Sequence, residues 1–330
     1  MTGIVPSAVN AAKTIVEGSK DPKDYRPITI VSHLARSFHR VLASKMTSSL
    51  ELNPRQRAFI PVDGCAENTF ILGAVIKEAQ QRVKPLHSAF LDVSKAFDTV
   101  LNLSVLRALE RLGVPPPLLK YIEAVYSSAT TTIEVGGFNS AVIKCTTGTR
   151  QGDPLSGFLF NCVVDECLAK LDPHVGFELN GTRIGYMAFA DDIVLVGSTE
   201  TGLQRSMNTL AKALKETGLF LNPRKCATFT IAAHPKAKKW VVDCRKVFTV
   251  NENAIRALSV VEVYKHIELD VGVRGIRKTD KGGLDKILFE LRQAVYETIP
   301  KNVDSAEQFT ALILAHSGAW RNNGWGIGRF

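Results

Sequence analysis

Residues 187–196 have the sequence Met-Ala-Phe-Ala-Asp-Asp-Ile-Val-Leu-Val, in which the carboxylates of Asp191 and Asp192 lie between two apolar runs. This pattern predicts a tight β-hairpin that carries the carboxylates at its turn. A third aspartate, Asp92, ends the apolar run at residues 89–91. Three carboxylates at strand ends can hold two Mg²⁺ ions, the arrangement that transfers phosphoryl groups. The hairpin alone does not establish this chemistry, because aspartate is also a common turn residue.

The composition is typical of a globular protein with one large or two medium domains. The chain has 330 residues, of which 45% are hydrophobic and 22% are charged, so it is not an intrinsically disordered chain. The formal net charge of +9 suits a polyanionic partner, although excess charge often serves solubility alone.

The cysteines and the hydropathy pattern limit where the protein is expected to act. The six cysteines form no CxxC pair and no Cys/His cluster with zinc spacing, and reduced thiols fit the cytosol or nucleus. No apolar run approaches the ~20 residues of a membrane span, and the N-terminus lacks a signal-peptide core. No membrane partner is therefore expected.

Periodicity and turn signals predict an α+β fold in which helices and hairpins form layers. Helices are predicted over 32–50, 68–82, 103–112, 118–127, from Asp153-Pro154 to about 171, 202–217 and 284–297. Strands are predicted over 88–93, 219–221 and 227–231, with a hairpin at 131–145 around Gly136-Gly137. The lysine- and arginine-rich segment 233–246 is predicted to be an exposed loop.

Four short motifs follow one another along the chain. Each is weak alone, whereas their order and spacing together are highly specific. The motifs are Leu91-Asp92-Val93-Ser94-Lys95-Ala96-Phe97-Asp98, Arg150-Gln151-Gly152-Asp153-Pro154-Leu155-Ser156, Phe189-Ala190-Asp191-Asp192 and Gly218-Leu219-Phe220-Leu221-Asn222-Pro223-Arg224-Lys225-Cys226.

With these motifs the chain resembles the reverse transcriptases of non-LTR retrotransposons, most of all the elements that insert site-specifically into ribosomal RNA genes. Further matching stretches lie at 24–28, 37–43, 55–59 and 63–68. The resemblance covers about residues 21–270 and implies a right-hand polymerase fold. It divides the chain into fingers (1–86), a palm (87–270) with a fingers insertion at about 103–145, and a partial thumb with an irregular C-terminus (271–330).

The same resemblance implies an RNA-directed DNA polymerase that acts in the nucleus. Its partners would be an RNA template, a DNA primer and dNTPs, and its cofactor would be two Mg²⁺ ions, with Mn²⁺ as a substitute. A primer 3′-hydroxyl attacks the α-phosphate of a nucleotide in this reaction, and the ions activate the hydroxyl and stabilise the charge on the phosphate. The sequence identifies no protein partner.

The three aspartates are the candidate catalytic residues. Asp92 and Asp191 are expected to bridge the metal ions, and the Val93 carbonyl to complete one coordination shell. Asp192 is interpreted as a secondary ligand or an electrostatic support. Without metal, clustered carboxylates repel one another and their pKa values should rise. The alternative for Asp92 is a strand-end cap.

Four further residues match the family's nucleotide-binding positions. Phe97 resembles the steric gate, a ring that would clash with a ribose 2′-hydroxyl, and its alternative is a core phenylalanine. Gln151 and Gly152 belong to a loop that the family uses against the template and the incoming nucleotide. Lys225 matches a lysine near the triphosphate that can donate a proton to pyrophosphate, and its alternative is a surface lysine. Weaker candidates for contacts with template, primer or triphosphate are Arg26, Arg57 and Arg150.

The chain departs from the family pattern at three places. Gly157 replaces a proline, which is expected to loosen a helix start without touching the chemistry. Phe189 replaces the tyrosine before Ala190 and loses one hydroxyl. Ile267-Glu268 replaces a Leu-Gly pair in the hairpin that grips the primer, where the carboxylate of Glu268 would repel the primer phosphates.

Two interpretations remain open from the sequence. The intact aspartates favour a catalytic RNA-directed DNA polymerase core. Glu268 and the partial thumb favour a truncated or decayed copy that binds nucleic acid without productive polymerisation. An RNA-templated RNA polymerase is disfavoured because Phe97 would obstruct ribonucleotides.

Overall fold

The computed structural model describes residues 11–17, 26–135, 138–234, 239–267 and 269–278. Within these residues the helices are α1 (His33–Ser49), α2 (Gly64–Gln81), α3 (Ala96–Thr99), α4 (Asn102–Arg111), α5 (Pro116–Ser127), α6 (Ser156–Leu168) and α7 (Glu200–Glu216). The strands of the first part are β1 (Ala11–Glu17), β2 (Arg26–Val31), β3 (Leu86–Leu91), β4 (Thr130–Val135), β5 (Phe138–Asn139), β6 (Ile143–Lys144), β7 (Phe177–Leu179), β8 (Thr182–Ile184), β9 (Tyr186–Phe189) and β10 (Asp192–Gly197). The later strands are β11 (Ala227–Ala233), β12 (Trp240–Val242), β13 (Thr249–Val250), β14 (Asn253–Ala254), β15 (Arg256–Ala257), β16 (Tyr264–His266), β17 (Leu269–Gly272) and β18 (Gly275–Lys278).

The central sheet has the strand order β12-β11-β3-β10-β9, and neighbouring strands are antiparallel. Ala89 and Leu91 of β3 pack into one core with α4 to α7, whereas Phe90 packs into a second core with α2. Because successive side chains of a strand point to opposite faces, the sheet lies between two helical layers. Burial on both faces explains why residues 89–91 of β3 and residues 193–196 of β10 are continuous apolar runs in the sequence.

A second sheet has the order β2-β1-β4-β5, with β6 also beside β4. It is tied to the loop before α6, since the Thr29 N–H of β2 donates to the Gln151 carbonyl at 2.7 Å. Helix α1 reaches the same loop, because His39 Nδ1 lies 2.6 Å from Asp153 Oδ2 and its Nε2 lies 2.8 Å from Tyr121 Oη. These contacts fix residues 151–153 against the second sheet and α1.

The two long N-terminal helices begin at side-chain caps. Ser32 Oγ accepts the Ala35 N–H at 3.3 Å, so α1 starts where the sequence predicts. Asp63 Oδ1 accepts the Ala66 N–H at 3.1 Å, and α2 therefore starts at Gly64, four residues before the predicted position 68.

Three predicted elements need correction, while the other predicted helices and strands in the described residues are confirmed within a few residues. The helix expected from Asp153-Pro154 begins at Ser156, because the Asp153 carboxylate binds His39 and the Leu155 N–H instead. The segment 219–221 forms a single bridge, Leu221 to Val93, and no strand. The predicted basic loop contains strand β12.

Several expectations fall outside the described residues. They concern the helix at 284–297, Gly136-Gly137, two lysines of the basic segment and Glu268. Cys162 and Cys167 are buried free thiols on α6. Among the described helices, none combines the length and the apolarity needed to span a lipid bilayer.

Candidate active site

The Asp-Asp hairpin connects β9 and β10 through a two-residue loop. Asp192 pairs with Phe189, so the loop consists of Ala190 and Asp191. Ala190 has a φ of 54°, a left-handed conformation that is uncommon for a residue with a side chain. The predicted hairpin is confirmed, but only Asp191 lies in its loop, since Asp192 is the first residue of β10.

Asp92 leaves β3 at the same edge of the central sheet. Leu91 pairs with Ile193, and this antiparallel register continued by one position brings Asp92 next to Asp192. The carboxylates of Asp92 and Asp191 interact electrostatically, although 99 residues separate them in the chain (191 − 92). The strand ends that the sequence singled out therefore converge.

Burial and neighbouring charges shift the pKa values of Asp92 and Asp191. Burial raises the pKa of Asp92, and the ammonium of Lys225 partly offsets this rise. Burial also raises the pKa of Asp191, and the neighbouring Asp92 charge raises it further. Lys225 lowers the pKa of Asp191 as well, so its exposed side chain lies within electrostatic reach of both carboxylates.

The Asp92 carboxylate fits a divalent cation. Its Oδ1 atom is buried and has no hydrogen-bond partner, an expensive state for a carboxylate oxygen unless a cation supplies the missing contact. Oxygen donors are the ligands that Mg²⁺ prefers. In the described part of the chain, no three or more His, Cys, Asp or Glu side chains are grouped closely enough to hold a metal. The Asp92–Asp191 pair is thus the side-chain part of the candidate metal centre, and Asp192 follows in the chain as the first residue of β10.

The Val93 carbonyl makes no hydrogen bond in the β-bridge between Val93 and Leu221. Asp92 accepts the Asn222 N–H at 2.9 Å, and the Ser94 N–H donates to Phe220 at 2.8 Å. In an antiparallel bridge of this kind the central residue turns its own carbonyl to the other side. The bridge also brings in the loop of Lys225, whose N–H donates to the Asn222 carbonyl at 3.0 Å.

Gln56 is a site residue that the motifs did not single out. Residues 55–57 lie along β9, where Gln56 bridges Ala188. The buried Gln56 side chain accepts the Ala190 N–H at 3.0 Å and donates to the Ala190 carbonyl at 3.3 Å. It also accepts the Ala58 N–H at 3.2 Å. Gln56 therefore holds both backbone polar groups of the residue before Asp191. The matching stretch at 55–59 was its only sequence signal.

Replacing Gln56 with leucine should displace the hairpin and destabilise the fold. Three buried backbone groups lose their partners, so we expect the free energy of unfolding to fall by about 2–4 kcal/mol. Urea unfolding measures this loss, and nucleotide incorporation should fall with it. Gln204→Leu is the matched control, because Gln204 bonds both backbone groups of Thr249 away from the aspartates. Equal incorporation by the two variants would contradict a positioning role for Gln56.

Phe97 lies between two other rings. It stacks on the buried Phe160, with ring centroids 4.4 Å apart and an interplanar angle of 25°. The edge contact with Phe59 has a centroid distance of 6.0 Å and an angle of 85°. Phe97 is half-buried, so the core contact and an exposed edge coexist.

The loop at Gln151 and Gly152 is held by intramolecular contacts. Gln151 Nε2 donates to Asp98 Oδ1 at 2.8 Å, beside Phe97. Gly152 has a φ of 101°, and an added Cβ would lie 2.8 Å from the Thr29 carbonyl oxygen. Glycine is therefore required here by the close approach to β2, in addition to any approach of a nucleotide.

The three candidate arginines differ in exposure. Arg57 Nε lies 2.9 Å from Glu67 Oε2, yet that oxygen has no hydrogen-bond partner, so the contact is an ion pair without hydrogen-bond alignment. Arg150 is only 6% exposed and acts electrostatically on Tyr121 and Tyr126. Arg26 opens β2, and its side chain lies outside the described part of the structure.

The aspartate pair should make stability depend on pH in metal-free buffer. Because their folded pKa values are raised, the folded state holds these protons more tightly than the unfolded state. Stability should therefore fall as pH rises above the ordinary aspartate pKa of about 4, and the fall should be smaller in Asp191→Asn. Urea unfolding over a pH series with a chelator measures this, and superimposable wild-type and variant profiles would contradict it.

Comparison with known proteins identifies the family. Residues 17–261 match the family described as reverse transcriptase (RNA-dependent DNA polymerase). The chain is 43% identical over 250 residues to the Pol polyprotein of a type-1 retrotransposable element R2 of Nasonia vitripennis, covering 76% of the chain and 24% of that relative. It is 34% identical to that of the type-2 element R2DM of Drosophila melanogaster, covering 83% of the chain and 26% of the relative. The chain thus spans about a quarter of the length of these relatives.

Solved structures share the fold at low sequence identity. A telomerase from Candida tropicalis, in complex with a TWJ fragment of telomeric RNA, superposes with a TM-score of 0.54 at 11% identity, over 88% of this chain and 49% of the telomerase chain. The corresponding Candida albicans telomerase has a TM-score of 0.51 at 15% identity, over 85% and 48% of the two chains. The chain therefore belongs to the reverse transcriptase family, has the right-hand polymerase fold that its motifs implied, and has polyproteins of R2 retrotransposable elements among its relatives.

Proposed function

We propose that this chain is the RNA-directed DNA polymerase core of a non-LTR retrotransposon. The observation that carries the proposal is the convergence of Asp92 and Asp191, with the buried Asp92 Oδ1 left without a hydrogen-bond partner. A site of two oxygen ligands fits phosphoryl transfer assisted by divalent cations. Family membership supports the same reaction.

In the proposed mechanism, Asp92, Asp191 and the Val93 carbonyl hold the metal ions, and Asp192 supports their charge. Divalent cations, two Mg²⁺ or Mn²⁺ in their place, supply activation of the primer 3′-hydroxyl and charge neutralisation at the α-phosphate. Lys225 lies within electrostatic reach of the same carboxylates and donates a proton to the departing pyrophosphate. Its positive charge also favours the approach of a triphosphate.

The nucleotide site in this proposal lies beside the metal centre. Phe97 faces the sugar and excludes a 2′-hydroxyl, while Gln151 and Gly152 contact the template and the incoming nucleotide. Arg57 is better placed than Arg150 for the triphosphate, because its backbone N–H donates to the Ala188 carbonyl of β9. The burial of Arg150 favours a role inside the fold.

The domain division and the partners follow the same proposal. Fingers would comprise residues 1–86, the palm 87–270 with a fingers insertion at 103–145, and a partial thumb 271–330. RNA template, DNA primer and dNTPs are the proposed partners, and the nucleus, with its ribosomal RNA genes, is the proposed site of action. The telomeric RNA in a structural neighbour supports an RNA partner.

Primer extension on purified protein tests the proposal. An RNA template with a DNA primer, Mg²⁺ and dNTPs should give extension, and rNTPs should give far less. A chelator should abolish extension. Binding to the primer–template without extension would instead support the truncated-copy interpretation, which the family comparisons do not favour.

A further inference from the structure

Phe59 has an unusual conformation for its residue type. Its φ is 55°, which is rare for a bulky side chain and indicates a constraint from the surrounding structure. Phe59 is 51% exposed, although Gln56 and Ala58 before it are buried. A strained, exposed aromatic residue next to a candidate site indicates a role other than core packing.

The segment that carries Phe59 is fixed from two sides. Gln56 holds it to the Asp191 hairpin through the Ala58 N–H. Asn161 of α6 donates a hydrogen bond from Nδ2 to the Ala58 carbonyl. Both backbone polar groups of Ala58 are therefore bonded to separate elements, which leaves the following residue little freedom.

Gly157 provides the space for the Phe59 ring. A Cβ added at Gly157 would lie 2.6–2.8 Å from three atoms of that ring, closer than real contacts allow. The sequence suggested that a glycine at this position touches no chemistry. In the structure it admits a ring that contacts Phe97.

Phe160, Phe97 and Phe59 form a row of three rings from the core to the surface. Phe160 supports one side of Phe97, and Phe59 meets it from the exposed side. The backbone of Phe97 is also fixed, because its carbonyl accepts the Thr149 N–H at 2.7 Å. Phe59 is thus an aromatic contact of Phe97 on the side opposite the core.

We propose that Phe59 is a positioning residue for sugar selection, which acts by holding Phe97 against an incoming nucleotide and which requires glycine at position 157. This role rests on the proposed polymerase function. A steric gate discriminates only as well as its ring is held, because a ring free to tilt can make room for a 2′-hydroxyl. Loss of one aromatic contact should relax the dNTP-over-rNTP preference by roughly 2- to 10-fold.

The test compares Phe59→Ala, Gly157→Ala, Phe97→Ala and the double variant Phe59→Ala/Phe97→Ala. The kcat and KM for the next dNTP and rNTP are measured on one RNA template with a DNA primer. In parallel, nucleotide-dependent stabilisation of a complex with a dideoxy-terminated primer measures binding without chemistry. Phe38→Ala is the matched control, since Phe38 is 42% exposed and makes an edge contact with Tyr121, 5.3 Å between centroids.

We expect Phe59→Ala and Gly157→Ala to relax selection in the same direction, mainly through a lower KM for rNTPs. Phe59→Tyr should keep selection, and Phe38→Ala should leave it unchanged. Phe59→Ala should add little to Phe97→Ala, because both act through one ring. Unchanged selection in Phe59→Ala, or full additivity in the double variant, would overturn the role of Phe59 alone. A wild-type chain that binds primer–template but neither extends it nor is stabilised by nucleotide would overturn the polymerase proposal as well.

Discussion

Replacing Asp191 with asparagine is expected to lower the rate of nucleotide incorporation about a thousandfold. Asparagine keeps the shape of the side chain and removes the charge that holds the metal ions. A loss of ~4 kcal/mol of transition-state stabilisation corresponds to this factor. The hairpin itself should stay in place, since Gln56 holds the backbone of Ala190 and not the side chain of Asp191.

Single-nucleotide incorporation under saturating primer–template measures the effect of Asp191→Asn. Binding of the primer–template should change far less than the rate, because phosphate contacts elsewhere dominate affinity. Asp172→Asn is a matched control, as this aspartate pairs with Arg205 at a distance of 2.7 Å on the surface. An Asp191→Asn variant that retained a tenth or more of the wild-type rate would exclude Asp191 as a principal metal ligand.

Replacing Phe97 with alanine is expected to admit ribonucleotides. If the ring clashes with a 2′-hydroxyl, its removal relieves an overpacking penalty of about 1–3 kcal/mol, which corresponds to roughly a 5- to 150-fold gain in relative rNTP use. Use of dNTPs should change modestly. The ratio of kcat/KM for rNTP and dNTP at one template position measures the effect.

Phe97→Ala also removes a ring from the core contact with Phe160, so a destabilised control is needed. Phe248→Ala is a suitable control, because Phe248 is fully buried and its ring contacts His87, with 6.0 Å between the ring centroids. This variant should lose stability without changing sugar preference. An unchanged preference in Phe97→Ala would mean that Phe97 is only a packing residue.

The hairpin and its partner strand could be predicted from sequence because their signals are local. The apolar run before Asp92 defines the end of β3, and the apolar run after Asp192 defines β10. Pairing of neighbouring strands then brings Asp92 and Asp191 together. The cap at Ser32 is equally local, and α1 begins where it predicts.

Contacts between distant segments could not be predicted in the same way. The predicted start of α6 was wrong because the Asp153 carboxylate binds His39, which lies 114 residues earlier in the chain. The role of Gln56 depends on Ala190, 134 residues later. The contact between the Phe59 ring and Gly157 depends on the left-handed backbone conformation of Phe59, which no turn motif in the sequence predicted. Each of these contacts joins segments that are distant in sequence, so it can be recognised only in the tertiary structure.

The sharing of β3 between two cores has a consequence for how the protein opens. A strand whose alternate residues belong to both cores can leave the sheet only when both cores are disrupted. Local fluctuations of edge strands and loops leave such a strand in place. Asp92 follows this strand directly, and Asp191 lies beside the strand paired with it. We therefore expect amide hydrogen exchange to be slow in the strand that precedes Asp92, and the two carboxylates to keep their relative position when peripheral loops open.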